Sequence, residues 1–150
     1  MRKVMVKSVH DAFEYVMGHY YPFGLEDNVE KRDTYAVISI QDSHLGGFGI
    51  EFKENQFCTG VLTLEFDDIE RPVKGAILFT QADARQIIEF IKNNRKADTL
   101  LVHDYAAQSR SLAVGAFAFA MLGGNNAKFF RRGSPNMWVY DTLMSVYDEM

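Results

Sequence analysis

The sequence predicts an α/β domain with a central, largely parallel β-sheet, flanking helices and a helical C-terminal third. Three observations carry this prediction. Short apolar runs typical of buried strands alternate with segments of helical periodicity through the middle of the chain. The C-terminal third, after residue 103, contains helical patterns. The length of 150 residues suits a single domain, residues 1–150, built around one core.

In the first half of the chain, an N-cap pattern of Ser8 with Asp11 predicts a helix that ends at Gly18. The segments 19–32 and 67–75 contain proline and glycine and are predicted to be loops. Segment 41–57 is also expected to be mostly loop. Strands are predicted at residues 3–7, 35–40 and 61–66, with a further short one near residues 50–52.

In the second half, Thr80 and Asp83 form a capping-box pattern that opens an amphipathic helix. A short buried strand is predicted at residues 99–103, followed by a loop at residues 104–109. Residues 111–122 are apolar all round, which predicts a helix buried in the middle of the domain. Two further helices are predicted at residues 126–131 and 136–147.

Composition excludes several classes of protein. Hydrophobic residues make up 47% and charged residues 24% of the chain, as in a globular domain rather than a disordered or fibrous one. No apolar run is long enough to span a membrane. The net charge of −4 argues against general nucleic-acid binding. The single cysteine, Cys58, cannot form an internal disulfide, and the N-terminus lacks a secretory signal pattern, so a cytoplasmic location is expected.

The segment with the clearest functional pattern joins the predicted strand at residues 99–103 to the buried helix. Such a strand–loop–helix aims successive backbone N–H groups and a helix N-terminus at one point, which makes an anion site. Arg110 adds a planar fork suited to phosphate. An ordinary strand-to-helix turn with a solvent-facing arginine explains the same pattern, and the residues alone leave both interpretations open.

This segment also resembles a known signature. Residues 103–111 read His-Asp-Tyr-Ala-Ala-Gln-Ser-Arg-Ser, similar to the His-Cys-x-Ala-Gly-x-Ser-Arg-Ser of cysteine-dependent tyrosine and dual-specificity phosphatases. The likeness is to compact prokaryotic or phage-type members and extends over about residues 35–147, including the family's general-acid loop at residues 64–69. The matching signature positions are His103, Ala106, Ser109, Arg110 and Ser111.

The resemblance implies a role for each of these positions. The catalytic group would comprise Asp104 at the nucleophile position, Arg110, Ser111 beside the nucleophile, and Asp68 or, second, Asp67 as general acid. His103 would support the loop. No cofactor and no metal ion are expected. The phosphate-binding loop would be formed by Tyr105, Ala106, Ala107, Gln108, Ser109 and Arg110.

Two positions depart from the signature. The nucleophilic cysteine is replaced by Asp104, and the loop glycine by Ala107. Asp104 removes the thiolate on which the family's covalent catalysis depends. It also places a negative charge where phosphate would bind, and its carboxylate is long enough to accept the hydrogen bonds meant for phosphate. If position 107 needs a left-handed backbone, alanine there costs about 1 kcal/mol.

The favoured hypothesis is a catalytically impaired pseudophosphatase that acts as a binding or regulatory module. The alternative is an active phosphomonoester hydrolase, which either uses Asp104 through an aspartyl-phosphate or is a native cysteine enzyme in which Asp104 was engineered. A phosphorylated or acidic protein partner is expected, without nucleic acid or membrane. The sequence leaves the oligomeric state open.

Overall fold

A parallel β-sheet of four strands forms the centre of the molecule. The computed structural model describes residues 1–22, 24, 33–44, 47, 49 and 51–150. The strands, β1 to β4 along the chain, are ordered β1-β4-β2-β3 across the sheet, and each neighbouring pair is parallel. They are Lys3–Ser8, Tyr35–Gln41, Cys58–Glu65 and Thr99–Asp104. The predicted fold class is therefore confirmed.

Helices cover both faces of this sheet, and three of them follow β4 to form the helical C-terminal third. Successive residues of the two central strands point to opposite faces, so Leu100 and Val102 lie in one apolar cluster while Leu101 lies in the other. None of the helices in the described part of the chain is long and apolar enough to cross a membrane. The helices, α1 to α5, are Val9–Tyr20, Gln81–Asn93, Arg110–Met121, Ala127–Arg132 and Met137–Glu149.

The structure corrects three details of the predicted elements. Helix α1 continues through Gly18 to Tyr20, because the Tyr20 ring is buried against Tyr35 and Phe57. Strand β3 begins at Cys58, three residues earlier than predicted, where it pairs with the start of β2. Of the short strand expected at residues 50–52, residue 50 lies outside the described residues, and Glu51 and Phe52 are not in a strand.

Helix α3 carries the functional loop at its N-terminus and packs closely on the sheet. From Arg110 to Ala118 every residue of this helix is buried, as its apolar sequence predicts. Close approach to β1 depends on Gly115, because a Cβ atom there would lie 2.4 Å from Cγ2 of Val6 and 3.2 Å from Cε1 of Phe129. The absence of a side chain at position 115 therefore allows α3 to pack at this short distance from β1.

Gly115→Ala is expected to lower the free energy of unfolding by up to about 2 kcal/mol. The gain in helix propensity is about 1 kcal/mol, but overpacking a filled core costs roughly 1–3 kcal/mol, and the stiff Val6 side chain has little room to move. Urea denaturation measures the change. Gly18→Ala is the matched control: a Cβ there meets nothing within 4 Å, so this variant should be slightly more stable. Equal stabilisation in both would contradict the proposed close contact.

Candidate functional site

A cleft of about 580 Å³ lies where β4 ends. The carboxyl ends of parallel strands meet at one edge of a sheet, so Asp104 at the end of β4 comes close to the loop after β3. Four of the six predicted loop residues line this cleft, together with residues from two other segments, whereas Tyr105 and Ala107 do not. Its lining comprises Asp68, Glu70, Asp104, Ala106, Gln108, Ser109, Arg110, Arg132, Gly133 and Ser134.

The Asp104 carboxylate occupies the cradle that the loop makes. The Ala107 N–H donates to Oδ1 at 2.6 Å, and the Ser111 hydroxyl donates to the same oxygen at 3.0 Å. The Ser111 N–H points at Oδ2 from 3.4 Å. Asp104 is only 3% exposed. The Asp104 carboxylate therefore accepts the hydrogen bonds of the loop and of the α3 N-terminus. The length of the aspartate side chain predicts this contact.

Arg110 is buried beneath the cleft, so the interpretation of a solvent-facing arginine is wrong. Its Nη1 donates to Asp42 Oδ1 at 2.5 Å and to the Phe66 carbonyl at 2.8 Å. Its Nε lies 3.7 Å from Asp104 Oδ2, which is an ion pair but too long for a hydrogen bond. Among the described residues this buried Nε has no hydrogen-bond acceptor. Two carboxylates of the chain thus share the charge of one guanidinium.

Ala107 has a left-handed backbone, with φ at 59°. It is the one non-glycine residue with positive φ in the described part of the chain. This conformation lets its N–H reach back to Asp104, three residues earlier. An L-residue pays a steric cost in that region because its Cβ approaches the following carbonyl. The sequence predicts a cost of alanine at position 107 if the backbone there is left-handed, and the backbone is left-handed.

Ala107→Gly is expected to stabilise the protein by up to about 1 kcal/mol, since relief of the left-handed strain outweighs the added flexibility of the unfolded chain. Thermal or urea unfolding measures this change. Ala106→Gly is the matched control: position 106 does not have positive φ, so glycine there should destabilise by about 0.5–1 kcal/mol. Destabilisation by both substitutions would show that Ala107 bears no strain.

The two candidate acids after β3 have different surroundings. Asp68 Oδ1 accepts from the Ser109 hydroxyl at 2.8 Å and from the Asn136 amide at 2.9 Å, so Asp68 lies in the cleft against the loop. Asp67 accepts from the Ser43 hydroxyl at 2.6 Å and from the Ile77 N–H at 2.7 Å. It is not part of the cleft lining. The geometry therefore places Asp68, the first choice, at the site.

The electrostatics of Asp67 fit a structural role. Partial burial acts to raise its pKa, but hydrogen bonds from Ser43 and Ile77 prevail and lower the pKa to about 2. Asp67 is therefore an anion that ties the loop after β3 to the loop after β2. Its role as second-choice acid stays a prediction without support from its position.

A loop before α5 forms the far wall of the cleft. The Ser134 N–H donates to the Gln108 carbonyl, and the Asn136 N–H donates to the Ser109 carbonyl, both at 3.1 Å. Gly133 lies so close that a Cβ would be 2.8 Å from the Gln108 oxygen. The Asn136 side chain accepts from Val139 N–H and caps α5. These contacts hold residues 108–109 of the loop after β4 against the segment that precedes α5.

His103 and Ser111 support the loop from within the core. His103 is fully buried, with Nε2 2.5 Å from the Ser39 hydroxyl and its ring against Phe52. Burial lowers the pKa of His103 to about 4, so the ring is neutral at physiological pH. Ser111, expected from the resemblance to lie beside the nucleophile position, donates its hydroxyl to Asp104. Tyr105 is 64% exposed and does not line the cleft.

Two other chemical groups lie away from this site. Cys58 is buried at the start of β3, with its Sγ 3.5 Å from the Gly60 carbonyl, and burial raises the pKa of its thiol. In the described ranges, the group of potential metal ligands close enough to share an ion is His10, Asp11 and Glu14, all exposed on α1. Neither group contributes to the cleft lining.

Sequence reasoning missed Asp42 and Glu70. Asp42 directly follows β2 and binds Arg110, and Glu70 accepts from the Met137 N–H at 2.9 Å. The signal for Asp42 was its place at the carboxyl end of a central strand, where sites of parallel sheets gather. Nothing in the sequence pattern distinguishes Glu70 from a solvated loop residue.

Comparison with known proteins identifies the fold. No family model matches the sequence, and no curated protein matches it. Among solved structures, human tyrosine phosphatase-like serine/threonine/tyrosine-interacting protein aligns over 77% of each chain with 21% identity and a TM-score of 0.52. Human DUSP28 aligns over 97% of this chain and 92% of that chain, with 16% identity and a TM-score of 0.52. At such identities the likeness concerns architecture alone: the chain has the fold of the tyrosine and dual-specificity phosphatases.

Proposed function

We propose that this chain is a phosphatase-fold protein that lacks cysteine-based catalysis and acts as a binding or regulatory module. The observation that carries this proposal is the position of the Asp104 carboxylate, which accepts from Ala107 and Ser111 inside the loop. Covalent catalysis in the resembling family needs a thiolate at this position. Asp104 supplies none, and its charge opposes a dianionic phosphate in a poorly solvated cavity.

The cleft also carries more negative than positive charge. Asp68, Glu70 and Asp104 line it against Arg110 and Arg132. The charge of Arg110 is further shared with Asp42. One structural neighbour is named human tyrosine phosphatase-like serine/threonine/tyrosine-interacting protein, and this name supports a binding role as one use of the fold. The expectation of a phosphorylated or acidic partner stays a prediction.

Hydrolysis of an aryl phosphate by the unmodified protein, with and without Mg²⁺, tests the proposal. We expect no turnover above the uncatalysed rate and no tight binding of vanadate. Turnover that disappears in Asp104→Asn, together with a hydroxylamine-sensitive phosphoprotein, would overturn the proposal. In that case Asp104 Oδ attacks phosphorus, the phenolate leaves with a proton from Asp68, and water then hydrolyses the acyl phosphate.

Sequencing the native gene addresses the remaining alternative. A cysteine codon at position 104 would make the natural protein a cysteine-dependent phosphatase and would restrict the binding role to the aspartate form. An aspartate codon is the expected result.

A further inference from the structure

We infer that the partner of this module is a basic, non-phosphorylated protein segment, which places a lysine or arginine side chain in the cleft and an apolar side chain in the groove beside it. This inference rests on the proposed function, since it assigns an occupant to the same cleft. It differs from the phosphorylated or acidic partner expected from the sequence, because the cleft lining carries more negative than positive charge and would repel such a partner.

Most positive features of the cleft already contact carboxylates of the chain itself. The exception is Arg132, which is exposed at the cleft and donates to the Val6 carbonyl instead. The N-terminus of α3 faces Asp104, and the N-terminus of α5 donates to Glu70 at 2.9 Å. Arg110 is paired with both Asp42 and Asp104. An incoming phosphate would have to displace these anions. The cleft is therefore poorly suited to a dianion.

Negative charge at the cleft mouth remains unmatched. Asp68 and Glu70 are both exposed, and neither forms an ion pair with any cation in the described part of the chain. The hydrogen bonds to Asp68 reach only Oδ1, and the one to Glu70 reaches only Oε2. One oxygen of each exposed carboxylate thus accepts no hydrogen bond from the described residues. An ammonium or guanidinium group complements this arrangement.

A second cavity, a mainly apolar groove of about 570 Å³, lies along α5. Asn136 bonds to Asp68, Met137 bonds to Glu70, and Trp138 lines the groove, so three consecutive residues connect the two cavities. Trp138 is fixed by its Nε1–H, which donates to the Phe79 carbonyl at 2.9 Å. The groove is lined by Leu78, Phe79, Thr80, Gln81, Trp138, Asp141, Thr142 and Ser145.

Apolar exposure beside the groove supports binding of an apolar side chain there. Three of the eight exposed large hydrophobic side chains in the described residues lie at the groove or next to it along the chain: Trp138 lines it, Ile77 precedes the lining residue Leu78, and Met137 precedes Trp138. A cluster of this kind marks an interaction site more often than isolated surface residues do. The carboxylate of Asp141, exposed in the groove wall, adds to the preference for a basic segment.

Peptide binding tests the inference. The probes are fluorescein-labelled peptides of about ten residues, each with one lysine and one leucine separated by about one to four glycines, a span of roughly 7–18 Å when extended. Matched peptides carry glutamate or phosphotyrosine in place of lysine. Anisotropy measures affinity, and emission of Trp138, the single tryptophan, reports occupancy of the groove.

We expect at least one lysine peptide to bind with a Kd below about 1 mM, to shift Trp138 emission, and to bind tighter than both matched peptides. Raising the ionic strength should weaken binding, since the ion pairs are near the surface. Asp68→Asn with Glu70→Gln should weaken it by about tenfold at low salt. Glu14→Gln, an exposed carboxylate on α1 that lines neither cavity, is the control and should leave affinity unchanged.

Tighter binding of the phosphotyrosine or glutamate peptide would overturn the inference, as would the absence of any lysine peptide that binds. Loss of affinity in Glu14→Gln equal to that in the double variant would also overturn it. The salt dependence is measured on the unmodified protein, so the test does not depend on the folding of a variant. Aryl phosphate turnover is read separately, so failure of the proposed function and failure of this inference are distinguishable.

Discussion

Replacing Asp104 by cysteine is expected to give a protein that hydrolyses an aryl phosphate and binds vanadate. The substitution removes the carboxylate that accepts from Ala107 and Ser111 and so frees these donors for an oxyanion. It also supplies a thiol next to Arg110 and the α3 N-terminus, the surroundings that favour a reactive thiolate. Turnover should exceed that of the unmodified protein by at least about a hundredfold.

Asp104→Ser is the matched control for this gain. It clears the cradle of charge but offers no thiolate, so it should bind vanadate without comparable turnover. If neither variant binds vanadate, the loop does not form an oxyanion site. In that case the left-handed backbone at Ala107, or the hydrogen bond from Arg110 to Asp42, has changed the shape of the loop. Vanadate binding by calorimetry and product release from the aryl phosphate are the two measurements.

Acidification is expected to destabilise the protein because His103 resists protonation in the folded state. Its pKa is lowered by burial to about 4, against an ordinary value of 6.5. Below about pH 6.5 the unfolded chain binds a proton that the folded chain does not accept until about pH 4, so stability falls as the pH falls through this window. Between about pH 7 and pH 5 the loss should be about 2 kcal/mol.

His103→Gln isolates this contribution. The variant should be less stable at neutral pH, because the histidine lies 2.5 Å from the Ser39 hydroxyl, but its stability should change less between about pH 7 and pH 5. Asp67, with a pKa of about 2, loses its contribution at lower pH and so does not obscure this window. Urea denaturation at each pH measures both proteins. Parallel pH curves would show that His103 does not carry the effect.

Local sequence patterns were sufficient for most of the fold. The capping box of Thr80 and Asp83 is present as predicted, with both reciprocal hydrogen bonds formed. The apolar runs at residues 35–40 and 99–103 are the two central strands, because a parallel strand buried on both faces has to be apolar at successive positions. Ends of elements were less well predicted, as at Gly18, because tertiary packing of Tyr20 extends α1.

The candidate site was predictable where it depends on neighbouring residues. Asp104, Ala107 and Ser111 lie within one loop and one helical turn, so chain geometry alone brings their donors and acceptor together. The sequence indicates a left-handed backbone at Ala107 as a possibility, because glycine occupies that position in the signature that the loop resembles.

By itself the sequence determined the class of fold, the loop and the presence of a carboxylate rather than a thiol at position 104, since these depend on periodicity, spacing and residue identity. Only the tertiary structure decided that Asp42 binds Arg110 across 68 residues, and that Asp68 rather than Asp67 faces the loop. It also decided that Glu70 caps α5 beside an apolar groove. Such contacts depend on strand order and register, which bring together residues whose separation along the chain carries no periodic signal.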